Sequence, residues 1–300
     1  MYLTPTPPGE TTITFAAMGT LVSASWSSTP QVAEVLRVSL PQRVAQLEDD
    51  LSRFRADSPV SRLDTEWRDV GPHCAAVFGA AQEWAQRTGG FFKLFPCLGW
   101  DAETLQLRGE QARLTDGVGA GGLDLGGIAK GYAAAQLASL IQESGGSGIL
   151  VSFGGSSIVA PDRRAIIRVQ SPWTGREFLG DLQIENESLS NSMLPQTQIV
   201  PSLVRSHIRG LDGQLAFTDI CAALVVGPDA MSCEALSTAL IAGGIPLLHD
   251  LTQKDVLGGA YRALAMTSNG RVFADPALQL SITLDSVSYT HLRAHETLRY

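Results

Sequence analysis

LDLGGIAKGYAAAQLASL, residues 123–140, joins a glycine pair to a lysine and then to a run of small apolar residues. The apolar run predicts a buried helix, and Gly145-Gly146 marks its end. Glycines directly before a helix let the backbone approach a ligand closely, and the free N–H groups of the first turn attract anions. With Lys130 beside them, the stretch predicts either a phosphate site or a helix-packing turn with a solvated lysine.

Strand and helix patterns alternate irregularly around this segment. Helical spacing covers residues 31–55, 72–88 and 230–244, and the last of these is expected to end at Gly243-Gly244. Strand patterns cover 11–26 with a break at Gly19, then 148–153, 164–170, 179–185, 219–226, and a hairpin of 261–267 and 271–274. We therefore expect an α+β fold with mixed α/β layers in one domain, residues 11–284. Residues 285–300 have no apolar period, and we expect a non-native or disordered tail there.

Composition excludes several classes of protein. The chain has 300 residues, 44% of them apolar, and a net charge of −8, which is typical of a globular protein and argues against a nucleic-acid surface. The sequence contains no uninterrupted run of about 18 apolar residues, so we expect no stable membrane insertion. The first residues lack a signal peptide, so we expect a cytoplasmic location, or an extracytoplasmic one if the N-terminus is truncated. The four cysteines form no CxxC pair and are expected to be free thiols.

Glu234 and Thr238 lie four residues apart on a predicted helix and therefore share one face. A carboxylate and a hydroxyl are oxygen ligands that suit Mg²⁺, which prefers a few protein oxygens together with substrate phosphates. A solvated glutamate beside a packed threonine explains the same pair.

Two further stretches carry charge in a pattern that suits nucleotides. RSHIRGLDG, residues 205–213, places His207 between Arg205 and Arg209, which at strand spacing share one side. This cationic face suits phosphate binding or proton transfer by the histidine, and an exposed polar strand edge explains it as well. LSRFRADSPVSRLD, residues 51–64, surrounds Phe54 with arginines and hydroxyls, and helix capping accounts for it as well as nucleotide binding does.

Together these stretches resemble the motifs of the ApbE family, the FAD:protein FMN transferases, over residues 15–284. The resemblance is strongest in LDLGGIAKGYA at 123–133. It extends to MGT at 18–20, the 51–64 segment, TGGFFKLF at 88–95 with Trp100 after it, FGG at 153–155, SHI at 206–208 and EALSTAL at 234–240. It implies a two-lobed fold with mixed or antiparallel sheets and a ligand cleft between the lobes.

The resemblance also implies roles for individual residues. Lys130 would contact the diphosphate of FAD beside Gly126 and Gly127, Asp124 would organise that loop, and His207 would sit near the phosphates or assist proton transfer. Glu234 and Thr238, with the carbonyl of Ala129, would hold Mg²⁺. The remaining residues expected to border the bound dinucleotide are Met18, Gly19, Thr20, Phe54, Ser58, Gly154 and Gly155.

The reaction implied by the resemblance transfers FMN from FAD to a Thr or Ser hydroxyl of an acceptor protein and releases AMP. The chain departs from the family pattern at several places. Glu234 stands where the family carries aspartate, Ser156 follows Gly154-Gly155 where the family has Asp or Asn, and HIRGLDGQL at 207–215 and SNS at 190–192 replace HIIDPxTG and TSG. Two alternatives follow: a FAD pyrophosphatase that releases FMN and AMP, and a FAD-binding protein that has lost catalysis.

Overall fold

The computed structural model describes residues 2–3, 9–96, 104–115, 119–174, 177–194, 208–216, 218–282 and 288–291. Four helices are present in these ranges: α1 (Pro30–Leu51), α2 (Gly71–Arg87), α3 (Ala129–Glu143) and α4 (Ala230–Gln253). The strands are β1 (Tyr2–Leu3), β2 (Thr11–Ala17), β3 (Thr20–Ser27), β4 (Arg68–Asp69), β5 (Leu105–Arg108), β6 (Gln111–Leu114), β7 (Ser147–Phe153), β8 (Ser157–Gln170), β9 (Phe178–Met193), β10 (Ile220–Gly227), β11 (Arg262–Thr267), β12 (Arg271–Ala274), β13 (Gln279–Ile282) and β14 (Ser288–His291).

One large sheet of eleven strands organises the described residues. Its order is β14-β12-β11-β10-β9-β8-β7-β3-β2, with β1 added to β8 and β13 added to β9. Every pair in it is antiparallel except β12 with β14. A small antiparallel sheet, β4-β6-β5, packs against α2. The expected α+β class with antiparallel sheets is therefore confirmed.

The core lies on both faces of the large sheet, because alternate residues of its central strand point to opposite sides. In β10, Ala223 and Val225 join the cluster that contains the helices, whereas Ala222 and Leu224 join a second apolar cluster. Helix α3 packs on β7 and β8, and α4 packs on β9 and β10. The first turns of these two helices consequently lie next to each other.

The expected end at Gly243-Gly244 is confirmed as a break in the helix, because Gly244 has non-helical backbone angles, but a second helical segment that the sequence did not predict follows it within α4. The chain kinks at Gly244 (φ 65°, ψ −163°) and continues as helix to Gln253. Asp219 Oδ1 accepts a hydrogen bond from Ile245 N at 3.1 Å, and the Thr218 hydroxyl donates to Ile241 O at 2.7 Å. These tertiary bonds satisfy backbone groups that a kink would otherwise leave unpaired.

By length and composition, α4 could span a membrane, and within the described ranges no other helix meets that criterion. However, 72% of its most apolar window is buried inside the protein. Such burial is typical of a core helix.

Part of the segment for which we expected a non-native or disordered tail forms a strand. Ser288–His291 form a strand that pairs in parallel with β12, with Arg271 opposite Ser288 and Ala274 opposite His291. An extended segment can add to an open sheet edge through backbone hydrogen bonds alone. The domain boundary at residue 284 stays a prediction, and the remainder of 285–300 lies outside the described residues.

Candidate functional site

Helices α3 and α4 cross closely at their first turns because Gly131 has no side chain. A Cβ atom at Gly131 would lie 2.5 Å from the carbonyl oxygen of Ala230 and 3.0 Å from Glu234 Oε2. Backbone therefore meets backbone at this crossing. As a result, side chains of α4 reach the loop that begins α3.

The Glu234 carboxylate is the group that joins the two helices. Its side chain is only 4% exposed. Its Oε1 lies 2.6 Å from Lys130 Nζ, and its Oε2 accepts a hydrogen bond from Gly131 N. The N-cap residue Ile128 makes no side-chain capping bond, so Glu234 satisfies a first-turn N–H of α3 from another helix. A negative charge near a helix N-terminus is also favourable.

The glycine loop before α3 is held by the same network. Lys130 Nζ donates to Gly126 O at 2.6 Å, and Gly126 N donates to Asp124 Oδ1 at 2.8 Å. The other oxygen of Asp124 lies 3.4 Å from Arg53 Nη2. Asp124 thus organises the loop, as expected, and links it to the turn after α1.

A cavity of about 300 Å³ opens beside this network. Lys130 and Arg53 place two cationic groups on its wall, and Glu48 and Asp124 place two carboxylates there. Arg53 Nε is buried without a hydrogen-bond partner among the described residues. The full lining is Met18, Gly19, Glu48, Leu51, Ser52, Arg53, Phe54, Asp124, Leu125, Gly126, Ala129 and Lys130.

Met18 enters this cavity from a tight hairpin between β2 and β3. Met18 has φ 50° and Gly19 has φ 71°, and positive φ at both central residues is the requirement of a type I′ turn. Asn, Asp or Gly would satisfy the first of these positions with less strain. Met18 N donates to Glu48 Oε1 at 2.6 Å, which holds the strained residue against the end of α1.

Phe54 also borders the cavity, but not as part of a helix face. The spacing of residues 31–55 places Phe54 in line with Val44, Leu47 and Leu51, whereas α1 ends at Leu51 and Phe54 is 85% exposed. The Arg53 guanidinium carbon lies 4.8 Å from the centre of the Phe54 ring. An exposed aromatic ring at a cavity edge offers a stacking surface.

A smaller cavity of about 40 Å³ lies on the other side of the glycine loop. Gly127 has little room there, since a Cβ atom would lie 3.2 Å from both Phe92 and the Thr238 hydroxyl. Asp124 borders both cavities. The lining of the small cavity is Phe91, Phe92, Lys93, Pro96, Asp124, Gly127, Ile208, Arg209 and Thr238.

The structure brings together most of the residues singled out from the sequence. Seven of them line the large cavity: Met18, Gly19, Phe54, Asp124, Gly126, Ala129 and Lys130. Gly127 and Thr238 line the small cavity, and Glu234 contacts Lys130. His207 lies outside the described residues. Their roles in binding a cofactor stay predictions.

Four predicted binding residues, Thr20, Ser58, Gly154 and Gly155, do not line the large cavity and contact other protein groups instead. The Ser58 hydroxyl donates to Ser52 O at 2.6 Å and accepts from Ser61 N at 3.0 Å, so it organises the turn after α1. A Cβ at Gly154 (φ 60°) would lie 2.2 Å from Thr20 Oγ1. Thr20 and Gly154 therefore form a close contact between β3 and the β7–β8 turn, whereas Gly155 N donates to the Ser152 hydroxyl at 3.2 Å.

Residues that the motifs did not single out complete the site. Glu48 positions Met18, and Arg53 contacts Asp124. Arg53 lies inside the 51–64 segment, whose arginines are not distinguished from one another by the sequence pattern. Glu48 carried no signal, because its partner is 30 residues away and bonds through backbone.

Two ionisable side chains near the helix crossing remain protonated. Burial is the main cause that raises the pKa of Tyr132, and its hydroxyl lies 2.7 Å from His73 Nδ1. Burial also raises the pKa of the Cys233 thiol well above its usual range. Because a protonated thiol is a poor nucleophile, Cys233 has a packing role. Cys74, Cys221 and Cys233 are all free and buried, whereas Cys97 lies outside the described residues.

The donor set around Glu234 suits a cation. Among the described residues no three His, Cys, Asp or Glu side chains meet in a group that could hold a metal. Mg²⁺, however, commonly binds through one or two carboxylates and completes its shell with water and substrate phosphates. The Lys130 ammonium already occupies a cation position at Glu234 Oε1, and Thr238 presents a hydroxyl one turn further along α4.

The sequence model of the ApbE family matches residues 18–95 and 95–257. The chain belongs to the ApbE family. The first matched segment begins at Met18 and includes α1 and α2, and the second includes the glycine loop, α3 and the whole of α4. The resemblance carried by LDLGGIAKGYA is thereby confirmed.

Solved structures of ApbE proteins share the fold. The flavin transferase ApbE from Vibrio cholerae is 16% identical, with a TM-score of 0.73 over 92% of this chain and 98% of that chain. The ApbE protein from Thermotoga maritima is 18% identical, with a TM-score of 0.74 over 88% and 96%. The Pseudomonas stutzeri flavinyl transferase ApbE, in its apo form, is 18% identical, with a TM-score of 0.72 over 91% and 94%. No curated protein sequence matches the chain.

Proposed function

We propose that this ApbE-family protein transfers FMN from FAD to a Thr or Ser hydroxyl of an acceptor protein and releases AMP. The observation that carries the proposal is the position of Lys130. Its ammonium lies at the first turn of α3, between Gly126 O and Glu234, on the wall of a cavity of about 300 Å³. A cation and the start of a helix at one cavity wall suit a diphosphate.

The other cavity residues suit the remaining parts of a dinucleotide. Met18 offers a polarizable thioether and Phe54 an exposed ring, and both contact planar aromatic groups favourably. Arg53 adds a second cation whose Nε lacks a protein partner among the described residues. A guanidinium of this kind binds phosphate oxygens or stacks on a base.

In the proposed reaction, the acceptor hydroxyl oxygen forms a bond to the FMN phosphorus. The bond from that phosphorus to the bridging oxygen breaks, and AMP leaves with the bridging oxygen. The hydroxyl proton passes to a base, for which His207 is the sequence-based candidate. Lys130 contributes by binding the diphosphate and by offsetting the negative charge that AMP carries away.

We further propose that the protein uses Mg²⁺, held by Glu234, Thr238 and the carbonyl of Ala129. Bound there, the ion would neutralise charge on the diphosphate. Glu234 keeps one oxygen on Gly131 N while the other is available to a cation. Gly127 keeps the loop backbone close to Thr238, since a Cβ would meet its hydroxyl at 3.2 Å.

Incubation of the purified protein with FAD, Mg²⁺ and an acceptor protein that a known flavin transferase modifies tests the proposal. Mass spectrometry of the acceptor should show an FMN adduct, and chromatography should show an equal amount of AMP. Lys130→Met should abolish both products, whereas Lys254→Met, which removes an exposed lysine, should leave both unchanged. Free FMN with AMP would identify a pyrophosphatase instead, and bound but unchanged FAD would identify a binding protein.

A further inference from the structure

We propose that Lys130 and the metal ion occupy the same oxygen of Glu234 in turn. In the ligand-free protein the Lys130 ammonium neutralises the carboxylate. Metal binding displaces the ammonium, which then becomes available to the diphosphate in the cavity. This inference rests on the proposed function, because it assigns the order of events at the same site.

The first support is the geometry of Glu234. One oxygen, Oε2, accepts from Gly131 N, and that backbone group is fixed by the close crossing of α3 and α4. The other oxygen, Oε1, lies 2.6 Å from Lys130 Nζ. A metal ion that used Glu234 without breaking the helix contact would therefore have to take Oε1.

The second support is electrostatic. Two cations cannot both lie against one carboxylate oxygen without strong mutual repulsion, and the effect is larger where the dielectric is low. The Glu234 side chain is 4% exposed, so water screens this pair poorly. Ammonium and metal ion consequently exclude each other at Oε1.

The third support is that Lys130 has somewhere to go. Its side chain is 23% exposed and lines the large cavity, whereas Glu234 is nearly inaccessible. A lysine ammonium is a point charge on a flexible four-carbon stem. Rotation of that stem can move the ammonium from the helix crossing toward a ligand in the cavity.

The exchange couples the two ligands. A metal ion that binds alone must leave Lys130 without its carboxylate, whereas a metal ion that binds with a diphosphate gives the ammonium a new anion. Metal and dinucleotide should therefore strengthen each other's binding by the same factor, as linkage requires. Lys130 is thus a positioning residue for the metal as well as a diphosphate contact.

The test measures metal affinity without nucleotide, with Mn²⁺ as the probe and the electron paramagnetic resonance signal of free Mn²⁺ as the readout. Lys130→Met removes the competitor and should tighten Mn²⁺ binding by roughly tenfold, if the ammonium occupies Oε1 in about nine molecules of ten. Glu234→Gln should abolish this binding. Lys254→Met breaks the exposed Lys254–Asp250 pair and should change nothing. Unchanged or weaker Mn²⁺ binding in Lys130→Met would overturn the inference.

A second measurement uses the unaltered protein, because Lys130→Met leaves a buried carboxylate without its partner and could unfold the chain. Amine acetylation followed by mass spectrometry reports how accessible each lysine is. Mg²⁺ alone should speed acetylation of Lys130 and leave Lys254 unchanged. Equal rates with and without Mg²⁺ would refute the exchange.

The two proposals fail separately. Absence of flavin transfer in the unaltered protein, together with tighter Mn²⁺ binding in Lys130→Met, would reject the proposed function and retain the exchange. Flavin transfer with no change in Mn²⁺ binding or lysine labelling would retain the function and reject the exchange.

Discussion

Gly131→Ala is the change that tests the close crossing of α3 and α4 most directly. The added Cβ would lie 2.5 Å from the Ala230 carbonyl oxygen, where an ordinary contact begins at 3.4 Å. The two helices must therefore separate by roughly 1 Å. The same movement stretches the bond from Gly131 N to Glu234 and draws Glu234 away from Lys130.

The expected loss of stability follows from two opposing effects. Overpacking of a well-packed contact costs about 1–3 kcal/mol. Alanine gains up to about 1 kcal/mol over glycine inside a helix. With the full gain subtracted, the free energy of unfolding of Gly131→Ala should fall by about 0–2 kcal/mol. Because a displacement of about 1 Å at a reacting group can cost roughly a hundredfold in rate, flavin transfer should fall more steeply than stability.

Gly79 provides a matched control in the same protein. It lies on α2, is exposed, and has no atom within 4 Å of a Cβ built on it. Gly79→Ala should raise the free energy of unfolding by up to about 1 kcal/mol and leave flavin transfer unchanged. Urea unfolding gives the first quantity, and the yield of the FMN adduct gives the second. If Gly131→Ala matches Gly79→Ala in both stability and transfer, the helices do not depend on a bare backbone at their crossing.

Three further predictions concern the cavity and the buried thiols. The free energy of unfolding of Met18→Gly, measured in urea, should exceed that of Met18→Ala by about 0.5–1 kcal/mol, because residue 18 has φ 50° and glycine is unstrained there. Both changes should weaken FAD binding measured by flavin fluorescence. Arg53→Ala should weaken FAD binding about tenfold by removing a charged contact, whereas Arg55→Ala, which removes an exposed partner of Asp49, should not; equal effects would contradict a role for Arg53 in the cavity. Burial raises the pKa of the Cys74 thiol to about 12 from an ordinary value of 9.0, so the unfolded chain loses this proton at lower pH than the folded protein does. The contribution of the protonated thiol to the free energy of unfolding is therefore fully present below pH 9.0 and should decline by about 1.4 kcal/mol per pH unit toward pH 12. Cys74→Ala should reduce that slope in urea unfolding.

Local signals were sufficient where a feature depends on neighbours in sequence. The Asn269-Gly270 pair predicted the hairpin of 261–267 and 271–274, which is present with Gly270 at φ 85°. The break at Gly19 predicted two strand pieces around a kink, and the structure places a tight hairpin turn there, with Gly19 at φ 71°. The predicted strand at 148–153 is also present, since an apolar run of this length that follows Gly145-Gly146 is too short to form a helix.

Tertiary contacts decided the features that the sequence missed. The glycine pair correctly marked the break in α4, but the helical segment after Gly244 was missed, and Asp219 and Thr218 satisfy the kinked backbone there from outside the helix. Phe54 fits the helical spacing of α1, yet the helix stops at Leu51 where Ser52 adopts an extended conformation. Neither outcome follows from periodicity, because periodicity reports neither the tertiary partners of a helix nor the backbone conformation of a single residue such as Ser52.

The expectation that Lys130 and Glu234 lie at one site depended on family resemblance, since more than 100 residues separate the two in the sequence. The structure also gives a physical reason for glutamate where the family pattern has aspartate. Its extra methylene lets the side chain start on α4 and reach the backbone of Gly131, so that it caps a helix whose own N-cap, Ile128, provides no side-chain bond. A shorter carboxylate would have to give up either that bond or the contact with Lys130. Side-chain length at residue 234 therefore links the stability of α3 to the occupancy of the cation position.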